Sequence, residues 1–182
     1  MPHYKEGKQT RPIEFEFMKE VLASNRFKRS SHRSYLAFLY LTGVRRSEAL
    51  DRVKEDFTKK DTLLTIHIPA KKHGVREILQ LSLEMPFMDL IQDQVDKTRP
   101  GRKVWNFSGR TALRIIKEAM GSQYYPHFLR LNRSVHFLDD ATTTFPEMQS
   151  WFGWKSGKTI DSYMGFSQRH LDKQVKRLKD TM

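Results

Sequence analysis

The sequence predicts an α+β domain, mainly helical, with a small antiparallel β-sheet or hairpin. Two observations carry this. Over most of the chain the apolar residues recur at helical spacing. Residues 63–69 and 75–83 instead alternate and are rich in β-branched and apolar side chains, with His73-Gly74 between them in a place that suits a tight turn. A chain of 182 residues has room for one domain with a sizeable core.

Taken in order, residues 1–12 are polar, contain Gly7 and Pro12, and read as a tail or linker; residues 13–182 read as the domain. Residues 14–23 place Phe17, Met18, Val21 and Leu22 at helical spacing. Ser31 is expected to cap a second helix, whose Tyr35, Leu36, Phe38, Leu39 and Tyr40 are too apolar to be anything but core. That helix ends at Thr42-Gly43, with the glycine as C-cap. Ser47 is expected to cap a short helix through Leu50 and Val53. After the two strands, a helix over 84–97 presents Phe87, Leu90, Ile91 and Val95. Residues 98–102 form a turn, and Ser108 caps a helix over 111–120. A loop over 121–126 leads to a core helix over 129–138, and a polar loop over 139–146 to a short helix over 147–152. A last amphipathic segment, 168–179, carries Leu171, Val175 and Leu178.

The chain holds 33 lysines and arginines against 21 acidic residues, a net charge of +12, with 38% apolar content. The basic residues are scattered among apolar ones rather than gathered in a tail. That suits a folded domain with a basic face, for which nucleic acid is the leading partner; a basic protein with no nucleic-acid role is the alternative. With no cysteine there is no disulfide framework and no thiolate chemistry. No apolar run approaches the roughly 20 residues of a membrane span, and residues 1–11 lack an apolar signal core. An intracellular, cytoplasmic protein is expected.

The residues of chemical interest lie in four segments. Arg45 lies in Thr42-Gly43-Val44-Arg45-Arg46-Ser47-Glu48, and Arg130 in His127-Phe128-Leu129-Arg130. At helix ends two guanidinium forks could hold both non-bridging oxygens of one phosphodiester. Taken alone, each arginine is most simply a surface charge or an ion-pair partner. Lys71 and Lys72 precede the His73-Gly74 turn, where either could protonate a leaving oxygen or simply be solvated. His127 and Arg130, three apart, share a helical face; a lone histidine is more often structural. The fourth segment, Gly153-Trp154-Lys155-Ser156-Gly157-Lys158-Thr159-Ile160-Asp161-Ser162-Tyr163, offers an indole donor, two lysines and a tyrosine. Trp154 reads as core unless its N–H holds a phosphate oxygen. Tyr163 is one of six tyrosines. As a nucleophile it must be deprotonated against a free pKa near 10, which costs about 4 kcal/mol at neutral pH, so it needs cations close by. Gly153 to Thr159 is not a nucleotide-binding loop: three residues separate its glycines where four are required, and no strand precedes it. No His, Cys or carboxylate cluster has metal-site spacing.

In their order along the chain, these four segments resemble the boxes of the tyrosine recombinase (phage integrase) family, over roughly residues 13–182. The family's Thr-Gly-x-Arg-x-Ser-Glu box matches residues 42–48 and makes Arg45, not Arg46, its first catalytic arginine. Its hairpin lysine resembles Lys72 in Lys72-His73-Gly74-Val75-Arg76, with Lys71 as the other register. Its His-x-x-Arg box matches 127–130, and its Gly-His or Gly-Trp pair, nine residues before the nucleophile, matches Gly153-Trp154 and Tyr163. Tryptophan stands where most members have histidine, and the residues after Arg130 depart from the usual run. The resemblance is thus to a divergent member, of archaeal, viral or plasmid type.

The resemblance implies an integrase-type catalytic fold and a site-specific recombinase that works without metal or nucleotide cofactor. Tyr163 would form a 3′-phosphotyrosyl link, Arg45 and Arg130 clamp the phosphate, Trp154 add an indole hydrogen bond, Lys72 (or Lys71) protonate the 5′ oxygen, and His127 assist. Arg46, Lys71, Lys155 and Lys158 would contact DNA. It further implies double-stranded DNA with a specific site as partner and four copies on two sites, with residues 168–182 docking on a neighbour or in cis. Residues 1–12 leave no room for the upstream core-binding domain of most integrases, so an isolated catalytic domain or a minimal recombinase is expected. Two other activities fit the same residues: a type IB topoisomerase, and a basic DNA-binding module without catalysis.

Overall fold

The computed structural model of the chain describes residues 13–69, 78–140 and 142–154. Its elements are α1 (Phe15–Ala23), α2 (Ser30–Thr42), α3 (Arg46–Leu50), a single 3-10 turn (Lys54–Asp56), β1 (Phe57–Lys60), β2 (Leu63–His67), β3 (Ile78–Ser82), α4 (Met88–Lys97), α5 (Gly109–Met120), α6 (Pro126–Asp139) and α7 (Phe145–Phe152). The strands form one antiparallel sheet in the order β1-β2-β3.

α2 is the centre of the domain. Every residue from Ser34 to Thr42 is buried, so this helix is covered on all sides rather than on one face. It packs against α4 and α6, with α1, α3 and α5 touching it less extensively. Trp105 fills the space beside it, 4.5 Å from the Phe38 ring, and its indole N–H donates to Ser34 Oγ at 3.0 Å. The buried tryptophan thus has its one donor satisfied. The sheet contributes Leu64, Ile66, Leu79 and Leu81 to the same core from its inner face. A smaller cluster of Leu131, Val135, Met148, Phe152 and Trp154 joins α6 to α7.

Several expectations hold. Ser108 caps α5, accepting from the Thr111 N–H at 3.2 Å. Gly43 ends α2 in the left-handed region, φ 62°. Others are corrected. Ser31 does not cap α2; the helix starts at Ser30 and Arg29 is its N-cap residue. Ser47 does not cap α3 either. It lies inside the helix, and Glu48 reaches back so that its carboxylate accepts the Arg45 N–H at 2.7 Å. α3 stops at Leu50, because the Val53 N–H is taken by the Asp56 carboxylate at 2.9 Å and opens the 3-10 turn instead. The helix expected from residue 84 begins only at Met88, since Phe87 adopts φ 69° and stacks 5.6 Å from Phe15. β1 was not anticipated; it pairs with β2 from Phe57↔Ile66 to Lys60↔Leu63. The expected His73-Gly74 turn and the 168–179 segment lie outside the described residues.

Candidate active site

The sharp turn out of α2 places the first functional side chain. Gly43 in the left-handed conformation redirects the backbone, the buried Val44 pins it, and Arg45 emerges as the N-cap residue of α3. Arg45 is then held from behind. Its Nη1 donates to Glu48 Oε1 at 2.8 Å while its own N–H donates to Glu48 Oε2. Only 2% of the Glu48 side chain is exposed, against 45% of that of Arg45. A buried carboxylate bound on both oxygens is a rigid mount, and it leaves the guanidinium reaching outwards.

α6 brings the second group. Pro126 starts the helix, where a missing N–H costs nothing. His127 and Arg130 follow on one face, and both face a cavity of about 410 Å³. Its cationic and polar wall is Arg45, Arg46, Ser47, His127 and Arg130; its apolar wall is Leu113, Tyr125 and Pro126. Residues separated by about 85 positions in sequence thus converge on one space. Arg46 marks the rim, its Nη1 donating to the Gly109 carbonyl at 3.4 Å.

Arg130 is 2% exposed and lies one turn inside α6 rather than at its end. Its Nη1 donates to the Gly43 carbonyl at 2.9 Å and its Nη2 to the Phe152 carbonyl at 2.8 Å. The guanidinium carbon stands 5.0 Å from the Phe152 ring centroid and 5.7 Å from that of Trp154. Those two rings stack on each other at 4.7 Å. Arg130 therefore ties the end of α2 to the end of α7 across the floor of the cavity. Trp154 is 5% exposed and packs beside Arg130, and it is not among the residues lining the cavity. Lys71, Lys72, Lys155, Lys158 and Tyr163 lie outside the described residues.

Burial pushes the His127 imidazole below its usual pKa of 6.5, and the Arg130 and Arg45 charges push it the same way. It is therefore neutral at neutral pH. The consequence for stability has a definite sign. Below about pH 6.5 the unfolded chain takes up a proton that folded His127 still refuses, so stability falls as pH drops through that window. His136 and His32 are shifted in the same direction, both chiefly by burial. Denaturant unfolding at about pH 7.5 and about pH 5 should show the loss, and His127→Gln should reduce it. An unchanged pH slope in that variant would mean that His127 is not held neutral.

Glu48, Ser47, Leu113 and Tyr125 belong to the site but were not picked out from the sequence as site residues. The signal for Glu48 was present: an acid three positions after Arg45 on a helical face. Among the described residues no group of three His, Cys, Asp or Glu side chains could hold a metal ion, and no helix is long and apolar enough to cross a membrane.

The described structure is similar to several solved recombinases. The XerH site-specific recombinase bound to a palindromic difH substrate, in a post-cleavage complex, gives a TM-score of 0.67 at 20% identity, over 94% of this chain and 54% of that one. XerA recombinase gives 0.67 at 14% identity, over 97% and 66%. The Tn1549 transposon integrase in complex with circular intermediate DNA gives 0.61 at 13% identity, over 95% and 68%. The chain spans about half to two thirds of the length of these structures. No family model and no curated protein sequence matches it. At these identities the likeness is one of fold. The chain has the integrase-type catalytic fold, as the order of its motifs led us to expect.

Proposed function

We propose that this chain is the catalytic part of a site-specific DNA recombinase that breaks and rejoins strands through a 3′-phosphotyrosyl intermediate. One observation carries the reading: Arg45, His127 and Arg130 share one cavity on a fold that known recombinases also have. The Tyr163 oxygen attacks the scissile phosphorus. A new P–O bond to tyrosine forms as the bond to the 5′ oxygen breaks, and Lys72 (or Lys71) gives that oxygen its proton. Arg45 and Arg130 offset the charge that builds on the non-bridging oxygens. Neutral His127 accepts a hydrogen bond or a proton. Trp154, which packs on Arg130, adds an indole hydrogen bond to the phosphate. The phosphotyrosyl ester keeps the bond energy, so the 5′ hydroxyl of a partner strand can attack in reverse without ATP, and no metal ion is called for. The substrate is double-stranded DNA carrying a specific site, bound by four copies on two sites, with Arg46, Lys71, Lys155 and Lys158 on the backbone.

A specific observation favours one rival. Both terminal nitrogens of Arg130 bond main-chain carbonyls, as they would in a DNA-binding module that kept this arginine for its scaffold. Nicked duplexes drawn from the DNA flanking the gene separate the two. Wild type should give a protein–DNA adduct on denaturing gels and Tyr163→Phe none. DNA binding without an adduct in either protein would favour the module, and relaxation of supercoiled plasmid without sequence preference would favour a type IB topoisomerase.

A further inference from the structure

Arg52 is a buried cation that the mechanism above does not use. It is 5% exposed, in a position surrounded by core, where an apolar side chain would be the simpler occupant. It is held by groups on three different elements. Nε donates to the Glu48 carbonyl of α3 at 2.9 Å. Nη1 donates to the His67 carbonyl, at the end of β2, at 2.7 Å. The same nitrogen is 3.1 Å from Asp56 Oδ2, in the 3-10 turn, and that oxygen also accepts the Val53 N–H. A planar guanidinium fixes three directions at once, which neither lysine nor leucine can do.

The arrangement joins two parts of the proposed machinery. Glu48 holds Arg45 with its carboxylate and Arg52 with its carbonyl. Arg52 in turn holds the end of β2, from which the chain runs, four residues later, to Lys71 and Lys72. The clamp for the phosphate and the strand leading to the proton donor are therefore two hydrogen-bonded residues apart.

We infer that Arg52 is a positioning residue that fixes the end of β2, the strand that precedes Lys71 and Lys72 in the chain, relative to Arg45. This rests on the strand-cleavage reading above. A residue with this role affects one half-reaction, protonation of the leaving oxygen, more than it affects the attack.

That difference can be measured with two nicked duplexes. One carries an ordinary scissile phosphodiester. The other carries sulfur in place of the bridging 5′ oxygen, so that the P–S bond breaks and a thiolate leaves. A thiol has a pKa near 8.5, so it departs as the anion and needs no proton donor. Adduct formation by Arg52→Leu should fall about 100-fold or more on the oxygen duplex, the scale of a lost general acid. On the sulfur duplex it should stay within about threefold of wild type. Arg52→Lys should fall between the two proteins on oxygen. Each comparison is a ratio within one preparation, so a reduced folded fraction cancels, and Arg52→Lys carries the test if Arg52→Leu does not fold. Equal slowing on both duplexes, or none on either, overturns the inference and leaves strand cleavage standing. Wild type inactive on both duplexes overturns the cleavage reading, and this inference with it.

Discussion

Arg130→Lys is expected to lower the melting temperature by roughly 5–15 °C and to cut adduct formation by about 100- to 1,000-fold, with DNA affinity nearly unchanged. The two losses have separate causes. Lysine keeps the charge, so the long-range attraction of DNA survives. It cannot reach the Gly43 and Phe152 carbonyls together, because each accepts from a different terminal nitrogen of the guanidinium and lysine has only one nitrogen. Leaving buried carbonyls unpaired costs about 1–3 kcal/mol each, and in a domain of this size each kcal/mol moves the melting temperature by roughly 2–4 °C. The catalytic loss follows from removing a preorganised fork beside the cavity, and one such donor is commonly worth 100- to 1,000-fold. Thermal melts, filter binding and adduct rates at saturating DNA read the three quantities separately. A lowered melting temperature with an unchanged adduct rate would make Arg130 a scaffold residue alone.

The parts of this molecule that were legible in the sequence are those whose burial agrees with their chemistry. The apolar run through Tyr35 and Leu41 could only be a core helix, and Ser108 signals the start of α5 by its type and place. β1 was missed because Phe57-Thr-Lys-Lys60 buries none of its side chains fully and presents two lysines to solvent, which leaves no alternation to read. The start of α3 was misread for a related reason. A serine is the usual cap, yet here a glutamate three residues past an arginine supplies the acceptor. Charged residues hid most. Glu48, Arg52 and Arg130 are each 5% exposed or less, and a sequence gives no sign that a charge is inside. Their partners make burial tolerable: the Glu48 carboxylate binds Arg45 three positions away, while Arg52 and Arg130 donate to main-chain carbonyls 15 and 87 positions away, and those long-range bonds appear only in three dimensions. Trp154 shows the converse: its place in the motif was plain, whereas its packing against Arg130 was not.

Gly43→Ala should be among the most damaging single-methyl changes in the chain. Gly43 has φ 62°, a conformation that costs an alanine about 1 kcal/mol. Space is the larger difficulty. An added Cβ would stand 2.8 Å from Arg133 Cβ and 2.9 Å from Cε1 of Phe152. Neither neighbour is the loose end of a flexible side chain. Arg133 Cβ is fixed to the α6 backbone, and Phe152 is fully buried between Trp154 and Phe137. Overpacking at such a point costs about 1–3 kcal/mol more. The total, roughly 2–4 kcal/mol, corresponds to a drop of about 4–16 °C in melting temperature. The effect does not stop at stability. The Gly43 carbonyl is an acceptor for Arg130, and the turn it makes delivers Arg45. Relief of the clash, by moving α2 away from α6, therefore separates the two arginines that face the cavity. Adduct formation should consequently fall further than the folded fraction does when both are measured well below the variant's melting temperature. Equal falls would mean that the fold tolerates the shift without opening the arginine pair, and that the spacing of Arg45 and Arg130 is set elsewhere than at this turn.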